Sequence, residues 1–208
     1  IDEYTRHAIT KISNIHFVAT KKSKDRVIKM GENPKYIFNT GSPAVDEILE
    51  QKITTKKILQ KKYNIKINND EIILIQHPIT TESKLSEIPI KNTLNALIKL
   101  NKKIIAIAPN SDQGYKKLFQ QMKLFSKKNS LITLYPNLPR SDYLGLLKHV
   151  GMLVGNSSSG IIEASYFNTK VVNIGKRQKG REKGPNVIDV NNDVSEIKNA
   201  IYSPVLCT

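Results

Sequence analysis

The chain has 208 residues and a formal net charge of +15, and this length can bury a hydrophobic core as one large domain or as parts of two. Its single cysteine, Cys207, excludes an internal disulfide framework and a cysteine-based metal site. No segment resembles a signal peptide, and the longest apolar runs are too short to cross a membrane. We therefore expect a cytoplasmic protein without a membrane partner.

The positive charge is spread along the chain and is not gathered in one patch. Lysines are frequent in four segments, 21–29, 56–62, 116–128 and 176–183. Most of these segments have helix-like patterns. The chain contains no tryptophan and no series of aromatic residues that could stack on bases. The composition favours attraction of an anionic small molecule, and a nucleic-acid-binding module is the alternative interpretation of the charge.

The first 52 residues predict two helix–strand pairs, with helices over 3–13 and 24–30 and strands over 16–19 and 36–39. Two pairs are too few for a separate α/β domain. Residues 1–42 are therefore predicted to be the C-terminal end of a first domain, whose earlier part is absent, together with a hinge. Glycine and proline in Thr40-Gly41-Ser42-Pro43 suit that hinge, and residues 43–208 are predicted to form a second domain.

From about residue 53 apolar strands alternate with helical patterns. The predicted helices are 53–62, 85–100, 112–125, 140–149 and 194–201, and the predicted strands are 71–76, 104–108, 130–134, 152–154, 170–174 and 186–190. Such near-continuous apolar strands indicate a parallel sheet with helices on both faces, and ligands in such sheets bind beyond the carboxyl ends of the strands. Ser141 or Asp142 is expected to open the helix over 140–149.

A turn rich in serine and glycine, Gly-Asn-Ser-Ser-Ser-Gly over 155–160, follows the strand 152–154. A strand, a turn of small residues and a helix N-terminus form an anion cradle, because free N–H groups and the positive end of the helix dipole face the turn. One serine would suffice as a helix cap, whereas the three at 157–159 add hydroxyl donors that suit a diphosphate. Glu163, in the first helical turn, interacts with the dipole or accepts hydrogen bonds from two ribose hydroxyls.

His77 lies at the end of a predicted strand, in the segment Gln-His-Pro-Ile-Thr-Thr-Glu over 76–82. A histidine there can donate to a phosphate oxygen or pass a proton near neutral pH, and a loop histidine bonded to the backbone is an equal alternative. His149 is expected to cap the helix that it ends. No HxH or HExxH pair occurs, so no metal site is expected.

Two further polar segments follow predicted strands. Asn110-Ser111-Asp112 fits the N-cap of the next helix, although Asn110 could also reach a ligand at the same edge of the sheet. The glycine-, lysine- and arginine-rich segment 175–184 is either a solvated basic loop or a phosphate-binding loop. Its position beside the serine turn favours phosphate binding, and arginine suits bidentate phosphate contacts.

Six segments resemble the UDP-N-acetylglucosamine 2-epimerases, in the same order and over nearly the whole chain. They are RHAITK (6–11), HFVAT (16–20), QHPITTE (76–82), APN (108–110), GNSSSGIIEA (155–164) and GKRQKGREKGPNV (175–187). The resemblance is closest to the hydrolysing branch, which makes N-acetylmannosamine for sialic acid and related nonulosonic acids. It implies an α/β fold of the GT-B type, with two Rossmann-like domains and the substrate between them. This chain would hold the tail of the first Rossmann-like domain and the Rossmann-like parallel sheet of the second, UDP-binding domain.

The resemblance also implies a two-step reaction, and no cofactor is expected. UDP is eliminated to give a 2-acetamidoglucal, and water then adds with the opposite configuration to release the manno sugar. His77, the expected catalytic residue, matches the histidine that contacts the leaving diphosphate. Glu163 matches the acid that holds the ribose, and Asn110 matches a uracil- or phosphate-side position. The expected UDP-binding residues are His77, Asn110, Ser157, Ser158, Ser159, Glu163 and Arg177.

Three related activities remain as alternatives: a non-hydrolysing UDP-N-acetylglucosamine 2-epimerase, a hydrolysing epimerase of a diacetamido-trideoxy UDP-sugar, and a GT-B glycosyltransferase. The QHPITT and GNSSSG segments favour the hydrolysing branch over the first. The expected partner is a UDP-sugar and not a nucleic acid, and the intact protein is expected to be a homo-oligomer. Because the carboxylates that move protons on the sugar are expected before Ile1, this chain alone should bind UDP weakly without turnover.

Overall fold

A computed structural model describes residues 2–79 and 87–205 of the chain. The residues Thr80 to Glu82 of the histidine segment, the start of the predicted helix over 85–100, and Cys207 lie outside the described residues. Within the described part, no helix combines the length and the apolar character that crossing a membrane requires.

The chain divides into two compact units, Ile1–Glu50 and Gln51–Thr208. The predicted domain boundary followed residue 42, whereas the helix Pro43–Glu50 belongs to the first unit. The polar segment Thr40-Gly41-Ser42 therefore lies within the first unit and not at its edge.

The first unit contains the two predicted helix–strand pairs and one more helix. Its elements are α1 (Asp2–Ile12), β1 (His16–Val18), α2 (Lys21–Lys29), β2 (Ile37–Asn39) and α3 (Pro43–Glu50). β1 and β2 pair in parallel. The carboxylate of Glu32 joins α1 to β1, because it accepts from Lys11 Nζ (2.6 Å) and lies 3.3 Å from His16 Nε2.

The second unit alternates between helices and strands as the sequence predicted. Its helices are α4 (Lys56–Tyr63), α5 (Glu87–Leu97), α6 (Tyr115–Lys128), α7 (Arg140–His149), α8 (Glu163–Tyr166) and α9 (Val194–Tyr202). Its strands are β3 (Ile72–Ile75), β4 (Ile104–Ile107), β5 (Ile132–Tyr135), β6 (Met152–Gly155), β7 (Lys170–Ile174) and β8 (Val187–Val190).

The six strands of this unit form one parallel sheet in the order β5-β4-β3-β6-β7-β8. From β3 the chain moves outward through β4 and β5, and it then returns to place β6 on the other side of β3. The direction of winding therefore changes between β3 and β6. In open parallel sheets this switch point is where a crevice forms at the carboxyl ends of the strands and where ligands bind.

The sheet is buried on both faces, as its apolar strands predicted. Alternate strand residues such as Ile72 and Leu74 belong to a hydrophobic cluster with α5, α6 and α9. Ile73, between them and equally buried, points to the opposite face because side chains alternate along a strand. On that opposite face, Gly160 lies against Leu153 and Val171, so the turn after β6 covers it.

Three predicted helix caps are wrong. α7 has the predicted bounds, but Pro139 precedes it without a side-chain cap. Asp142 is instead buried where α4 packs against α7, and it accepts hydrogen bonds from Thr54, Lys62 and Tyr63. The segment around Asn110 does not cap α6, which begins after Gly114 with no side-chain cap bond. His149 is the last helical residue, and the C-cap of α7 is Val150.

Candidate functional site

The backbones of β3 and β6 meet closely at the switch point, and this requires glycine at position 155. A Cβ on Gly155 would lie 1.9 Å from the backbone oxygen of Ile75, and its φ is +139°. The N–H of Asn156 donates to the same oxygen at 3.1 Å. The polar residues that follow the two strands therefore emerge side by side.

Asn156 fixes the backbone of His77 from across this junction. The His77 N–H donates to Asn156 Oδ1 (2.7 Å), and Asn156 Nδ2 donates to the His77 carbonyl oxygen (2.9 Å). Asn156 is only 2% exposed, so this reciprocal pair is shielded from competing water. The sequence placed His77 at a strand end, and the structure adds the residue that holds it there.

The His77 ring is oriented by a backbone donor from the next strand end. The N–H of Asn110 donates to His77 Nδ1 at 3.1 Å, so the proton of the neutral ring resides on Nε2, which is a donor. Burial lowers the pKa of His77 below its ordinary 6.5, and the charge of Arg177 lowers it further, against smaller opposite effects of Asn110 and Asp112. His77 is therefore a neutral hydrogen-bond donor near pH 7.

The side-chain amide of Asn110 is already engaged, because Nδ2 donates to Asp112 Oδ2 at 2.6 Å. The structure thus brings Asn110 to the predicted site mainly through its backbone. A direct contact between this side chain and a nucleotide stays a prediction.

The three consecutive serines take three different positions. Ser157 caps a single 3₁₀ turn, Ser158–Gly160, and its Oγ accepts from the Ser159 N–H at 3.3 Å. The Ser159 hydroxyl is hydrogen-bonded to the Tyr143 hydroxyl of α7, so Ser159 anchors the turn. Within residues 2–79 and 87–205, the half-buried Ser158 hydroxyl makes no hydrogen bond. Ser157 and Ser158 are therefore the hydroxyls that can face an anion.

The helix predicted to follow the serine turn is much shorter than the cradle hypothesis assumed. A 3₁₀ turn and the four-residue α8 replace it, so its aligned peptide dipoles are few. An anion at this turn would therefore meet hydroxyls and local N–H groups more than a helix dipole.

Glu163 is the first residue of α8 and is held by an ion pair. Arg140 Nη1, at the start of α7, donates to Glu163 Oε1 at 2.7 Å. The Glu163 side chain is 11% exposed and that of Arg140 is 32% exposed, so the carboxylate lies at the edge of the buried region. Because Arg140 neutralises the Glu163 carboxylate, the expected interaction of Glu163 with the helix dipole is minor.

The basic segment that follows β7 is attached to the serine turn. Arg177 Nη1 and Gln178 Nε2 both donate to the Asn156 carbonyl oxygen, at 3.2 and 2.8 Å. Gln178 is 1% exposed, whereas a freely solvated loop would expose it. The structure therefore brings Arg177 to the same strand junction as His77, as the phosphate-binding hypothesis requires.

A cavity of about 160 Å³ adjoins this junction. His77 and Asn156 line it together with Pro89 of α5, Leu118 of α6 and Lys176. Among residues 2–79 and 87–205, no group of three or more histidine, cysteine, aspartate and glutamate side chains could hold a metal ion.

Sequence reasoning missed three residues of this site, Arg140, Asn156 and Gln178. Each acts through a partner that is distant in sequence, so no local pattern identified them. The nearest signal in the sequence was the asparagine inside the serine turn, because a polar side chain that becomes buried is expected to form a hydrogen bond.

Comparisons with known proteins place the chain in a family. The sequence model described as UDP-N-acetylglucosamine 2-epimerase matches residues 1–205. The chain belongs to this family. Solved structures also confirm the fold class predicted from the sequence, with its Rossmann-like parallel sheet. The S. aureus MnaA–UDP co-structure superimposes with a TM-score of 0.71 at 17% identity, over 92% of this chain and 52% of that one.

Two curated relatives illustrate the similarity. The UDP-N,N'-diacetylbacillosamine 2-epimerase (hydrolyzing) of Legionella pneumophila is 38% identical over 191 residues, which are 92% of this chain and 50% of that protein. The UDP-N-acetylglucosamine 2-epimerase of Neisseria meningitidis is 32% identical over 201 residues, 97% of this chain and 52% of that protein. This epimerase-family chain thus spans about half the length of the curated relatives that it matches.

Proposed function

We propose that this chain forms the UDP-binding half of a hydrolysing UDP-sugar 2-epimerase. The observation that carries the proposal is the meeting of His77, the Ser157–Ser158 hydroxyls and Arg177 at one strand junction. Together they offer donors and positive charge to a diphosphate. Glu163, which lies six residues after Ser157, offers an acceptor for the ribose hydroxyls.

In the proposed reaction the bond between the anomeric carbon and the diphosphate breaks while the C2 proton is removed. The products are UDP and a 2-acetamidoglucal, and addition of water then gives the free sugar with the opposite configuration at C2. His77 Nε2–H donates a hydrogen bond to the departing phosphate oxygen, and Arg177 balances the charge that develops there. These residues account for holding and releasing UDP, and not for proton transfer at C2.

The proposed substrate is UDP-N-acetylglucosamine, with N-acetylmannosamine for sialic acid synthesis as the product. A second candidate is the diacetamido-trideoxy UDP-sugar, because the Legionella relative named for such a sugar is 38% identical, against 32% for the Neisseria relative named for UDP-N-acetylglucosamine. Activity in the cytoplasm and a homo-oligomeric state of the intact protein belong to the same proposal.

Calorimetric titration of this chain with UDP, AMP and inorganic diphosphate tests the nucleotide site. We expect a higher affinity for UDP than for AMP, and a loss of about tenfold in UDP affinity for Ser158→Ala, which corresponds to one lost phosphate hydrogen bond of about 1.4 kcal/mol. Ser126→Ala, on α6 and away from the site, is the matched control and should bind like the parent chain. Equal affinity for all three anions would reduce the site to a nonspecific basic surface.

Product analysis with the whole protein tests the reaction. Release of free sugar and UDP from a UDP-sugar supports the hydrolysing epimerase, whereas recovery of an epimerised UDP-sugar supports the non-hydrolysing alternative. Parallel reactions with UDP-N-acetylglucosamine and the diacetamido-trideoxy UDP-sugar compare kcat/KM for the two candidate substrates.

A further inference from the structure

Gln178 is a buried amide in the middle of a polar, basic segment. Its neighbours Arg177 and Lys179 are more exposed, and its side-chain Oε1 is buried without a hydrogen-bond partner among the described residues. Glycines with positive φ, Gly175 (+76°) and Gly180 (+81°), bracket it. A leucine of similar size would fill this space and leave no polar atom unpaired. The reason for a polar amide at this buried position is therefore the one hydrogen bond that its Nε2 donates.

That bond ends on a residue that also holds His77. The Asn156 carbonyl oxygen accepts Gln178 Nε2 (2.8 Å) and Arg177 Nη1 (3.2 Å), while the Asn156 side chain makes two bonds with the His77 backbone. Three strand ends, those of β3, β6 and β7, are thus joined through a single buried asparagine.

We propose that Gln178 and Asn156 form a positioning relay that holds the Arg177 guanidinium beside His77, so that both side chains meet the same phosphate group. Neither relay residue needs to contact the ligand. Gln178 holds the segment that follows β7, and Asn156 holds the His77 backbone. Arg177 and His77 then donate to the phosphate. The identity of the phosphate ligand rests on the proposed function, whereas the relay itself can be measured in the chain without ligand.

The His77 ring reports on the relay, because the Arg177 charge opposes protonation of His77. Among the described residues, the other charged group that acts on the ring is Asp112, and it is unchanged in every variant below. Release of Arg177 into solvent would screen its charge. The pKa of His77 should then rise toward its ordinary value.

The experiment is an NMR titration of the His77 ring in Gln178→Leu, which has similar volume but no donor, with the signal assigned from the His77→Gln spectrum. We expect the His77 pKa to rise and the dissociation constant for UDP to increase by about tenfold. Lys127→Gln, an exposed change near the end of α6 and outside the basic segment, is the control and should leave both quantities near their parent values. If Gln178→Leu does not fold, Gln178→Met replaces it, because methionine adapts to irregular sites.

A double-mutant cycle separates positioning from a structural role. Arg177→Met should raise the His77 pKa by itself, and adding Gln178→Leu to that variant should produce little further change. A Gln178→Leu variant that only melts earlier, with His77 pKa and UDP affinity unchanged at temperatures where it is folded, would overturn the relay. If the parent chain does not bind UDP but the His77 pKa still responds, the relay stands and the proposed function fails.

Discussion

Gly155→Ala should destabilise the second unit strongly, because it affects both a backbone conformation and a strand contact. The φ of +139° at this position is one that side chains with a Cβ rarely adopt, and such strain costs about 1–3 kcal/mol. The new Cβ would lie 1.9 Å from the Ile75 oxygen, whereas real Cβ contacts stay beyond 3.0 Å. Relieving that overlap requires β3 and β6 to separate, and overpacking of this kind costs about 1–3 kcal/mol more.

We therefore expect Gly155→Ala to lower the free energy of unfolding by about 2–6 kcal/mol. Urea and thermal unfolding followed by circular dichroism measure this, and each kcal/mol lowers Tm by about 2–4 °C in domains of 150–250 residues. Gly175→Ala is the matched control, since its φ is also positive (+76°) but no atom lies within 4 Å of the new Cβ. A difference of less than about 1 kcal/mol between the two variants would refute the argument that β3 and β6 meet too closely for a side chain.

Three other predictions concern charged groups. Asp142→Ala should lower the free energy of unfolding by about 3 kcal/mol in urea, because the buried carboxylate accepts bonds from Thr54, Lys62 and Tyr63; a loss below about 1 kcal/mol would contradict this. Burial alone would raise the pKa of Asp142, but these bonds outweigh it and hold the pKa below 3.8, so its stabilisation is present above that pH and is lost as pH falls through the folded pKa. The pKa of His77 is also lowered on folding, so as pH drops the unfolded chain binds a proton on this imidazole before the folded chain does, and the free energy of unfolding should fall below about pH 6.5. In denaturation measured across pH, His77→Gln should flatten this dependence of stability on pH. An unchanged dependence would count against the lowered pKa of His77. Glu163→Gln should weaken binding of UDP more than binding of inorganic diphosphate, by about fivefold in calorimetry, and an equal loss for both would remove Glu163 from the ribose site.

Local patterns in the sequence determined most of the secondary structure of the second unit. Runs of apolar residues predicted the buried strands, and helical spacing predicted α7 with the bounds that the structure has. These features depend on neighbours within one or two turns, so a single sequence carries them. The same reasoning placed His77, Asn110, the serine turn and Arg177 at strand ends, where the fold brings them together.

The partners of these residues were decided only by the tertiary structure. Asn156 bonds to His77 across 79 positions, Arg140 reaches Glu163 across 23, and Gln178 reaches Asn156 across 22. Which donor meets which acceptor depends on the order of the strands, and the placement of β6 beside β3 is not encoded in any local period. The sequence by itself determined that phosphate-binding residue types follow the strands. The packing of distant strands decided that a buried asparagine, invisible to local patterns, would join them at one junction.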